Sequence, residues 1–202
     1  MSLIEKLKQY SNEQEWSSID WFKEEQEWAR ENGLSVTSES ESKEKTLNRF
    51  KDTYIEIGDK ESEDTIMQKN HAFLDEPVTY IKQNKDHFLY LESNWFAWLG
   101  IEGAVLEYDD VFGTYSILFG LKIPKKLTGA LKEKLISLLE DGAQVSAVFD
   151  SGEGVWNVNF PLEHIPAFSE NMTLLEVYVL AYRILFNAVS SSEPIKRQTD
   201  SI

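Results

Sequence analysis

The densest group of side chains able to do chemistry is the run Glu107-Tyr108-Asp109-Asp110, which Val-Phe-Gly follows. Paired carboxylates can act as general acid and base, or bind a hard cation through oxygen. In an extended chain Glu107 and Asp109 lie on one side and Asp110 on the other, which weakens a chelate. Acidic residues are also common in turns. We therefore expect a hairpin loop here, and keep a small metal-dependent hydrolase that uses this cluster as one alternative function.

The remaining residue types offer little for catalysis. The chain has no cysteine, which excludes disulfides, thiolate zinc sites and a cysteine nucleophile. Its three histidines lie far apart and form no zinc-ligand pair. His164 follows Glu163 and could act as a general base, but the sequence offers no nucleophile for it to activate. The sequence therefore predicts no catalytic residue and no cofactor.

Aromatic residues are the candidates for binding a partner. In the segment Trp95-Phe96-Ala-Trp98, the tryptophans share one side of a helix or lie on opposite faces of a strand. Burial is the favoured interpretation because large aromatic side chains usually bury most of their area. An exposed tryptophan here would instead be a hot spot for a partner. Three more tryptophans must be buried on the main domain or on another chain; they are Trp16, Trp21 and Trp28.

The charge balance restricts the classes of partner. The chain of 202 residues has 35 Asp and Glu against 20 Lys and Arg, which gives a formal net charge of −15. Binding to nucleic acid or to anionic lipid requires clustered basic residues, so neither is expected. An acidic surface favours solubility and attracts basic proteins. The expected partner is therefore a protein, and with 42% hydrophobic residues the chain can build a core.

The N-terminal third is predicted to be mainly helical. Residues 1–34 have apolar positions at helical spacing, and a polar stretch rich in Ser and Glu follows to residue 43. The spacing then predicts a helix, with a weaker second pattern to about residue 74. The apolar positions of that helix are Leu47, Phe50, Tyr54 and Ile57.

From Val78 onward the pattern changes to that of strands, of which Thr114–Ile123 is the clearest. A helix is predicted over 128–141, and a hairpin with its turn at Ser151–Gly154 follows. Thr173 to Glu176 has the spacing of a capping box and opens an apolar helix to about Val189. Because that helix is apolar nearly all round, we expect it to be buried or to lie at an oligomer interface.

These elements predict an α+β fold, in which helices pack on one face of an antiparallel sheet. The main domain is expected over 44–190. An N-terminal helical extension with a polar linker precedes it over 1–43, and a polar tail follows over 191–202.

The order of elements resembles the type III secretion chaperone-like fold, which includes YbjN-like proteins. Val155–Leu162 ends in a Pro-Leu step before the last helix, as in YbjN-like chains, and the acidic balance is similar to that of secretion chaperones. The resemblance implies a non-enzymatic dimer that binds other polypeptides, and no functional residue is carried over. It places a leading helix in 44–74, three strands in 78–123, a helix at 128–141, a hairpin at 145–162 and a helix at 173–189.

The expected function is a non-catalytic, cytoplasmic protein-binding or chaperone-like module that self-associates. It would act through apolar and aromatic surface with an acidic rim. An immunity or inhibitor protein for a basic partner is the second alternative. The cytoplasm is expected because the N-terminus lacks the apolar run of a secretory signal. The longest apolar stretch, Val177–Val189, is short for a membrane span and contains Arg183.

Overall fold

A single sheet organises the chain. The computed structural model describes residues 2–10, 20–34, 36, 49–51 and 53–192. Within these ranges it contains a seven-stranded sheet with the order β2-β1-β3-β4-β5-β7-β6, and every neighbouring pair is antiparallel. The predicted α+β class with N-terminal helices is confirmed.

The elements have the following bounds. The helices are α1 (Leu3–Tyr10), α2 (Lys23–Glu31), α3 (Thr79–Gln83), α4 (Asn94–Leu99), α5 (Thr128–Leu138) and α6 (Leu174–Ser192). The strands are β1 (Tyr54–Asp59), β2 (Thr65–Lys69), β3 (His87–Glu92), β4 (Ile101–Asp109), β5 (Thr114–Leu121), β6 (Ser146–Asp150) and β7 (Val155–Pro161).

One face of the sheet forms the core. Successive side chains of a strand point to opposite faces, so residues aligned across the ladders share a face. One aligned row runs across β1, β3, β4, β5 and β7, and every member of it is buried. Helix α6 lies over this face, and the Tyr178 hydroxyl donates a hydrogen bond of 2.7 Å to the carbonyl of Leu89. The row consists of Ile57, Leu89, Leu106, Ile117 and Phe160.

The opposite face, which we call the open face, carries a second aligned row. Its members are all half-buried and keep surface in contact with solvent, so no helix in the described part of the chain covers them completely. One face of the sheet is thus buried beneath helices and the other is not, as the sequence predicts. The row consists of Glu56, Tyr90, Val105, Leu118 and Asn159.

Local signals at two elements are confirmed. The segment predicted as the clearest strand contains β5, and its alternate residues from Tyr115 to Leu121 are all buried, as expected for one face of a strand. At the start of α6, the Thr173 amide donates to Glu176 Oε2 at 3.0 Å, and the Glu176 amide donates to Thr173 Oγ1 at 3.2 Å. This is the reciprocal capping box that the spacing predicts.

The helix predicted through Phe50, Tyr54 and Ile57 is wrong. Leu47 lies outside the described residues, Phe50 lies in a turn, and Tyr54–Asp59 is strand β1. Ile55 and Ile57 are buried, and β1 pairs with β2 on one side and β3 on the other. Alternate burial of β-branched residues therefore outweighs the helical spacing of the larger residues. The leading helix that the resemblance places in 44–74 is thus replaced by the β1–β2 hairpin.

Helix α6 is longer than the apolar stretch considered from the sequence. Its 19 residues are long and apolar enough, by length and composition, to cross a membrane. However, 61% of that stretch is buried inside the chain itself. Burial against the sheet accounts for its apolar character, so this helix gives no separate reason to expect an oligomer.

Candidate functional site

The acidic run forms the predicted hairpin loop. Strand β4 ends at Asp109 and β5 begins at Thr114. Asp109 Oδ1 accepts hydrogen bonds from the amides of Val111 and Phe112 at 2.9 and 3.0 Å. This carboxylate therefore caps the turn, which is an ordinary structural role for Asp.

The other two carboxylates of the run do not join Asp109 in a chelate. Glu107 lies on the open face, 3.8 Å from Lys60 Nζ, and Asp110 is exposed in the loop. Within the part of the chain that the structure describes, no group of three or more His, Asp or Glu is placed to hold a metal ion. The metal-dependent hydrolase alternative therefore has no geometric support there.

The aromatic segment is helical and packs inwards. Phe96 and Trp98 are 0% and 1% exposed, and Trp98 Nε1 donates to the carbonyl of Leu3 at 3.0 Å. Trp95 is half-buried, and its Nε1 donates to the carbonyl of Arg49 at 2.7 Å. Burial was the favoured interpretation for Trp95 and Trp98. In this structure the segment offers little surface to a partner.

The N-terminal tryptophans pack against the same chain. Trp21 is 3% exposed and meets Trp98 edge-on, with ring centroids 5.9 Å apart. Trp28 meets Trp98 and Phe186, each with centroids 5.8 Å apart. Trp16 lies outside the described residues. The N-terminal helices therefore dock in cis in this structure, and their described tryptophans are occupied by contacts within the same chain.

Docking of α2 encloses an ion pair that the sequence analysis missed. Glu25 and Arg49 have side-chain exposures of 0% and 1%, and Arg49 Nη1 and Nη2 each donate to one carboxylate oxygen at 2.6 Å. The Tyr182 hydroxyl donates to Glu25 Oε1 at 2.5 Å, and Arg49 Nη2 lies 3.0 Å from the same hydroxyl. The α2 helix, the turn at 49–51 and α6 thus meet at one polar cluster.

Aromatic rings surround the Arg49 guanidinium. Its central carbon lies 3.7 Å from the centroid of a Trp95 ring and 4.4 Å from that of Phe22. Burial lowers the pKa of Arg49, but the Glu25 carboxylate and Tyr182 raise it by more, so the net direction is upward. The group is therefore a charged arginine held by a carboxylate, a tyrosine hydroxyl and aromatic faces.

The open face contains a groove with a volume of about 450 Å³. Its floor is apolar at Val105 and Leu118, which are opposite each other on β4 and β5. Asn157 and Asn159 border it on the β7 side, where their amides can donate and accept hydrogen bonds. Such a shallow groove can hold an extended segment of polypeptide.

Two tyrosine–glutamate pairs lie on the open face at β1 and β3, and one of the four residues, Tyr90, also lines the groove. The Tyr90 hydroxyl donates to Glu92 Oε1 at 2.7 Å, and the Tyr54 hydroxyl donates to Glu56 Oε2 at 2.5 Å. In the ladder Tyr54 is opposite Glu92, and Glu56 is opposite Tyr90. The two rings meet edge-on with centroids 6.4 Å apart. We call these four residues the Tyr–Glu quartet.

Both tyrosines of the quartet have a raised pKa. Burial and then the hydrogen bond to Glu92 raise the pKa of Tyr90, and the charges of Glu92, Glu56 and Glu102 add to this effect. The hydrogen bond to Glu56 is the main cause of the raised pKa of Tyr54. Both hydroxyls therefore keep their protons and remain donors in a region of negative potential.

Nearby basic side chains neutralise other carboxylates of this face but not those of the quartet. Lys122 pairs with Glu102, and Lys60 lies near Glu107. Among the residues whose placement is described, no Lys or Arg pairs with Glu56 or Glu92. The quartet thus contributes an uncompensated negative charge to the open face.

Sequence reasoning did not find the quartet for two reasons. The spacing predicts a helix through Tyr54, and the apolar run Phe88-Leu89-Tyr90-Leu91 has no alternation with polar residues that would indicate an exposed face for Tyr90. The one sequence feature that relates to the position of Tyr90 is Gly103. An ideal Cβ at Gly103 would lie 2.3 Å from Tyr90 Cε2, so this ring rests on a position without a side chain. Only the strand pairing of β3 with β4 brings the two residues together.

Comparison of the chain with protein-family models, with curated protein sequences and with solved structures gives no match in any of the three. The resemblance to the type III secretion chaperone-like fold therefore stays a prediction.

Proposed function

We propose that the chain is a non-catalytic, cytoplasmic protein-binding module that holds an extended basic segment of another polypeptide on its open face. The observation that carries this proposal is the uncovered sheet face with its groove of about 450 Å³. A chaperone-like role and an inhibitor of a basic protein are two forms of this function. They differ in whether the bound segment is unfolded or part of a folded partner.

Charge complementarity selects the kind of partner. The formal net charge of −15 attracts basic molecules from a distance. On the open face beside the groove, Glu56 and Glu92 form no ion pair with a described basic residue, and Glu153 lines the groove itself. A basic segment would bring the missing positive charges, while an acidic segment would be repelled.

The floor of the groove supplies the apolar part of the contact. Val105 and Leu118 are half-buried in the free chain, and a bound segment would remove their remaining surface from water. Burial of this kind contributes about 25 cal/mol per Å² before the costs of ordering the segment. The acidic ends and the apolar centre together favour a segment in which basic and apolar residues alternate.

A defined probe tests this proposal. The probe is a fluorescein-labelled peptide in which valine alternates with a basic residue, lysine and arginine in turn. Its twin has glutamate at every basic position. We expect fluorescence anisotropy to report binding of the basic probe, with affinity that falls as salt is raised, and no binding of the acidic twin.

A matched pair of variants locates the binding. Leu118→Lys places a positive charge in the centre of the groove, and we expect it to weaken binding by about tenfold or more. Ile136→Lys makes the same change on the exposed surface of α5 and should leave binding unchanged. Failure of the basic probe to bind, or equal loss in both variants, would contradict the proposal.

A further inference from the structure

We propose that the Tyr–Glu quartet of Tyr54, Glu56, Tyr90 and Glu92 binds the guanidinium of an arginine in the partner. This inference rests on the proposed function and assigns the residue type that the open face selects. It predicts that the module distinguishes arginine from lysine, which the proposed function alone does not require.

The chain itself shows how this set of groups binds a guanidinium. In the buried cluster, Glu25 accepts two hydrogen bonds from Arg49 at 2.6 Å while also accepting one from the Tyr182 hydroxyl at 2.5 Å. An aromatic ring, that of Trp95, lies 3.7 Å from the guanidinium carbon. A carboxylate that accepts from a tyrosine hydroxyl, next to an aromatic face, is thus compatible with a bound arginine.

The open face presents the same groups twice. Glu92 accepts from the Tyr90 hydroxyl and Glu56 accepts from the Tyr54 hydroxyl, but no arginine of the described chain joins either pair. The register of β1 with β3 places the two pairs directly opposite each other in reversed order, so that each tyrosine is opposite the glutamate of the other pair. Side chains in this relation lie within reach of one long ligand group.

The quartet retains capacity for further hydrogen bonds. A carboxylate offers about four acceptor positions, and the tyrosine hydroxyl uses one of them in each pair. A guanidinium has five donors in a planar fork and can donate two parallel hydrogen bonds to a carboxylate of the quartet. Tyr54 is 38% exposed, so its ring also offers a face to the incoming group.

Arginine fits this arrangement better than lysine for geometric reasons. The guanidinium is planar, stacks on aromatic rings and donates in parallel to carboxylates. The lysine ammonium is a compact, strongly hydrated charge, so it gains less from paired carboxylate oxygens and from an aromatic ring. We expect the difference to be about tenfold in affinity, the ratio typical of one charge-assisted hydrogen bond.

The experiment compares two peptides on the full chain. Both carry the alternating pattern of the basic probe, one with arginine at every basic position and the other with lysine. Binding is measured by fluorescence anisotropy at fixed ionic strength. Tighter binding of the arginine peptide by about tenfold is the expected result.

Two pairs of variants assign the preference to the quartet. Glu56→Gln combined with Glu92→Gln removes both charges, and we expect it to abolish the arginine preference. Glu133→Gln combined with Glu140→Gln makes the same change of charge at exposed positions outside the open face, and the preference should remain. Tyr54→Phe combined with Tyr90→Phe keeps the rings, removes the donated hydrogen bonds, and should reduce the preference. Circular dichroism and the thermal midpoint verify that each variant is folded.

The outcomes separate this inference from the proposed function. Equal binding of the two peptides would overturn the inference and leave the proposed function standing. Binding of neither peptide would overturn both. An arginine preference that survives in the Glu56→Gln, Glu92→Gln variant would overturn the assignment to the quartet, because another part of the face would then read the guanidinium.

Discussion

Glu25 and Arg49 form an ion pair that is removed from water on all sides. Two charges inside a protein are costly unless each is hydrogen-bonded, and here the carboxylate oxygens meet Arg49, Tyr182 and the amide of Phe22. The loss of one partner would leave the other charge buried and uncompensated. Removing one partner should therefore destabilise the chain more than removing both partners together.

We expect Arg49→Met to lower the free energy of unfolding by about 3–5 kcal/mol, because Glu25 is left buried without its partner. The double variant Arg49→Met, Glu25→Leu should recover part of that loss. Arg183→Met, at the partly exposed pair with Glu24, is the control and should cost below about 1 kcal/mol. Urea denaturation measures all three. A double variant less stable than Arg49→Met would contradict this account.

Two buried tyrosines predict a loss of stability at alkaline pH. Burial raises the pKa of Tyr178 and Tyr182 well above their ordinary value of 10.0. The unfolded chain loses these protons first as pH rises past that value, while the folded chain keeps them. The stabilising contribution is therefore complete below the unfolded pKa and is lost as pH rises towards the folded pKa.

The measurement is the urea midpoint as a function of pH on either side of about 10. Tyr178→Phe removes one of the two fully buried hydroxyls, so its midpoint should fall less steeply with pH than that of the natural sequence. Tyr80→Phe affects a half-buried residue and should change the slope less. If the urea midpoints of the natural sequence and of both variants fell in parallel with pH, the buried hydroxyls would not be the cause of the loss of stability at alkaline pH.

At the scale of elements, the sheet places Tyr90 by leaving room for it. The ring covers Gly103 on the neighbouring strand β4, where an added Cβ would lie 2.3 Å from Cε2 and 2.4 Å from Cζ. Gly120 on β5 lines the same groove, but the nearest atom to an added Cβ there is Val155 Cγ2 at 3.7 Å. The two glycines thus form a matched pair for testing whether the position of Tyr90 matters.

We expect Gly103→Ala to displace the Tyr90 ring and to abolish the arginine preference. Because the ring can swing away from the sheet, the loss of stability should stay below about 3 kcal/mol. Gly120→Ala should leave the Tyr90 environment as it is. Chemical shifts of the Tyr90 ring and the two-peptide comparison provide the readouts. An unchanged Tyr90 environment in Gly103→Ala would contradict this placement of the ring.

At the scale of the whole molecule, the N-terminal helices complete the core of their own chain. Helix α1 packs on α4, where Lys6 Nζ donates to the Leu99 carbonyl at 3.1 Å and the Leu3 carbonyl accepts from Trp98. Leu3 and Leu7 are buried there. Without this contact Trp98 would lose part of its cover and its hydrogen-bond acceptor. The extension is thus part of the folded unit in the described structure.

Leu7→Asp tests docking in cis. A buried charge in place of an apolar side chain should lower the free energy of unfolding by about 2–5 kcal/mol and shift tryptophan emission to longer wavelength as Trp98 becomes hydrated. Gln9→Asp introduces the same charge at an exposed position of α1 and should have little effect. Unchanged stability of Leu7→Asp together with lost partner binding would instead indicate docking in trans.

Features that depend on interactions between neighbouring residues could be predicted from the sequence. The alternation in β5, the β6–β7 hairpin and the capping box before α6 each depend on residues close together in the chain, and each is confirmed. The Asp109 turn belongs to the same class, since the carboxylate bonds amides two and three residues away. The absence of cysteine and the negative net charge likewise follow directly from the amino-acid composition.

The assignment of β1 and the composition of both polar clusters depend on contacts between residues far apart in the chain. Residues 54–57 satisfy helical spacing and strand alternation equally, and pairing with β2 and β3 settles the choice. Glu25, Arg49 and Tyr182 are separated by 24 and 133 residues, and no local pattern links them. The Tyr–Glu quartet depends on the register of β1 with β3. That register is set by the burial of Ile55 and Ile57 against residues distant in the chain.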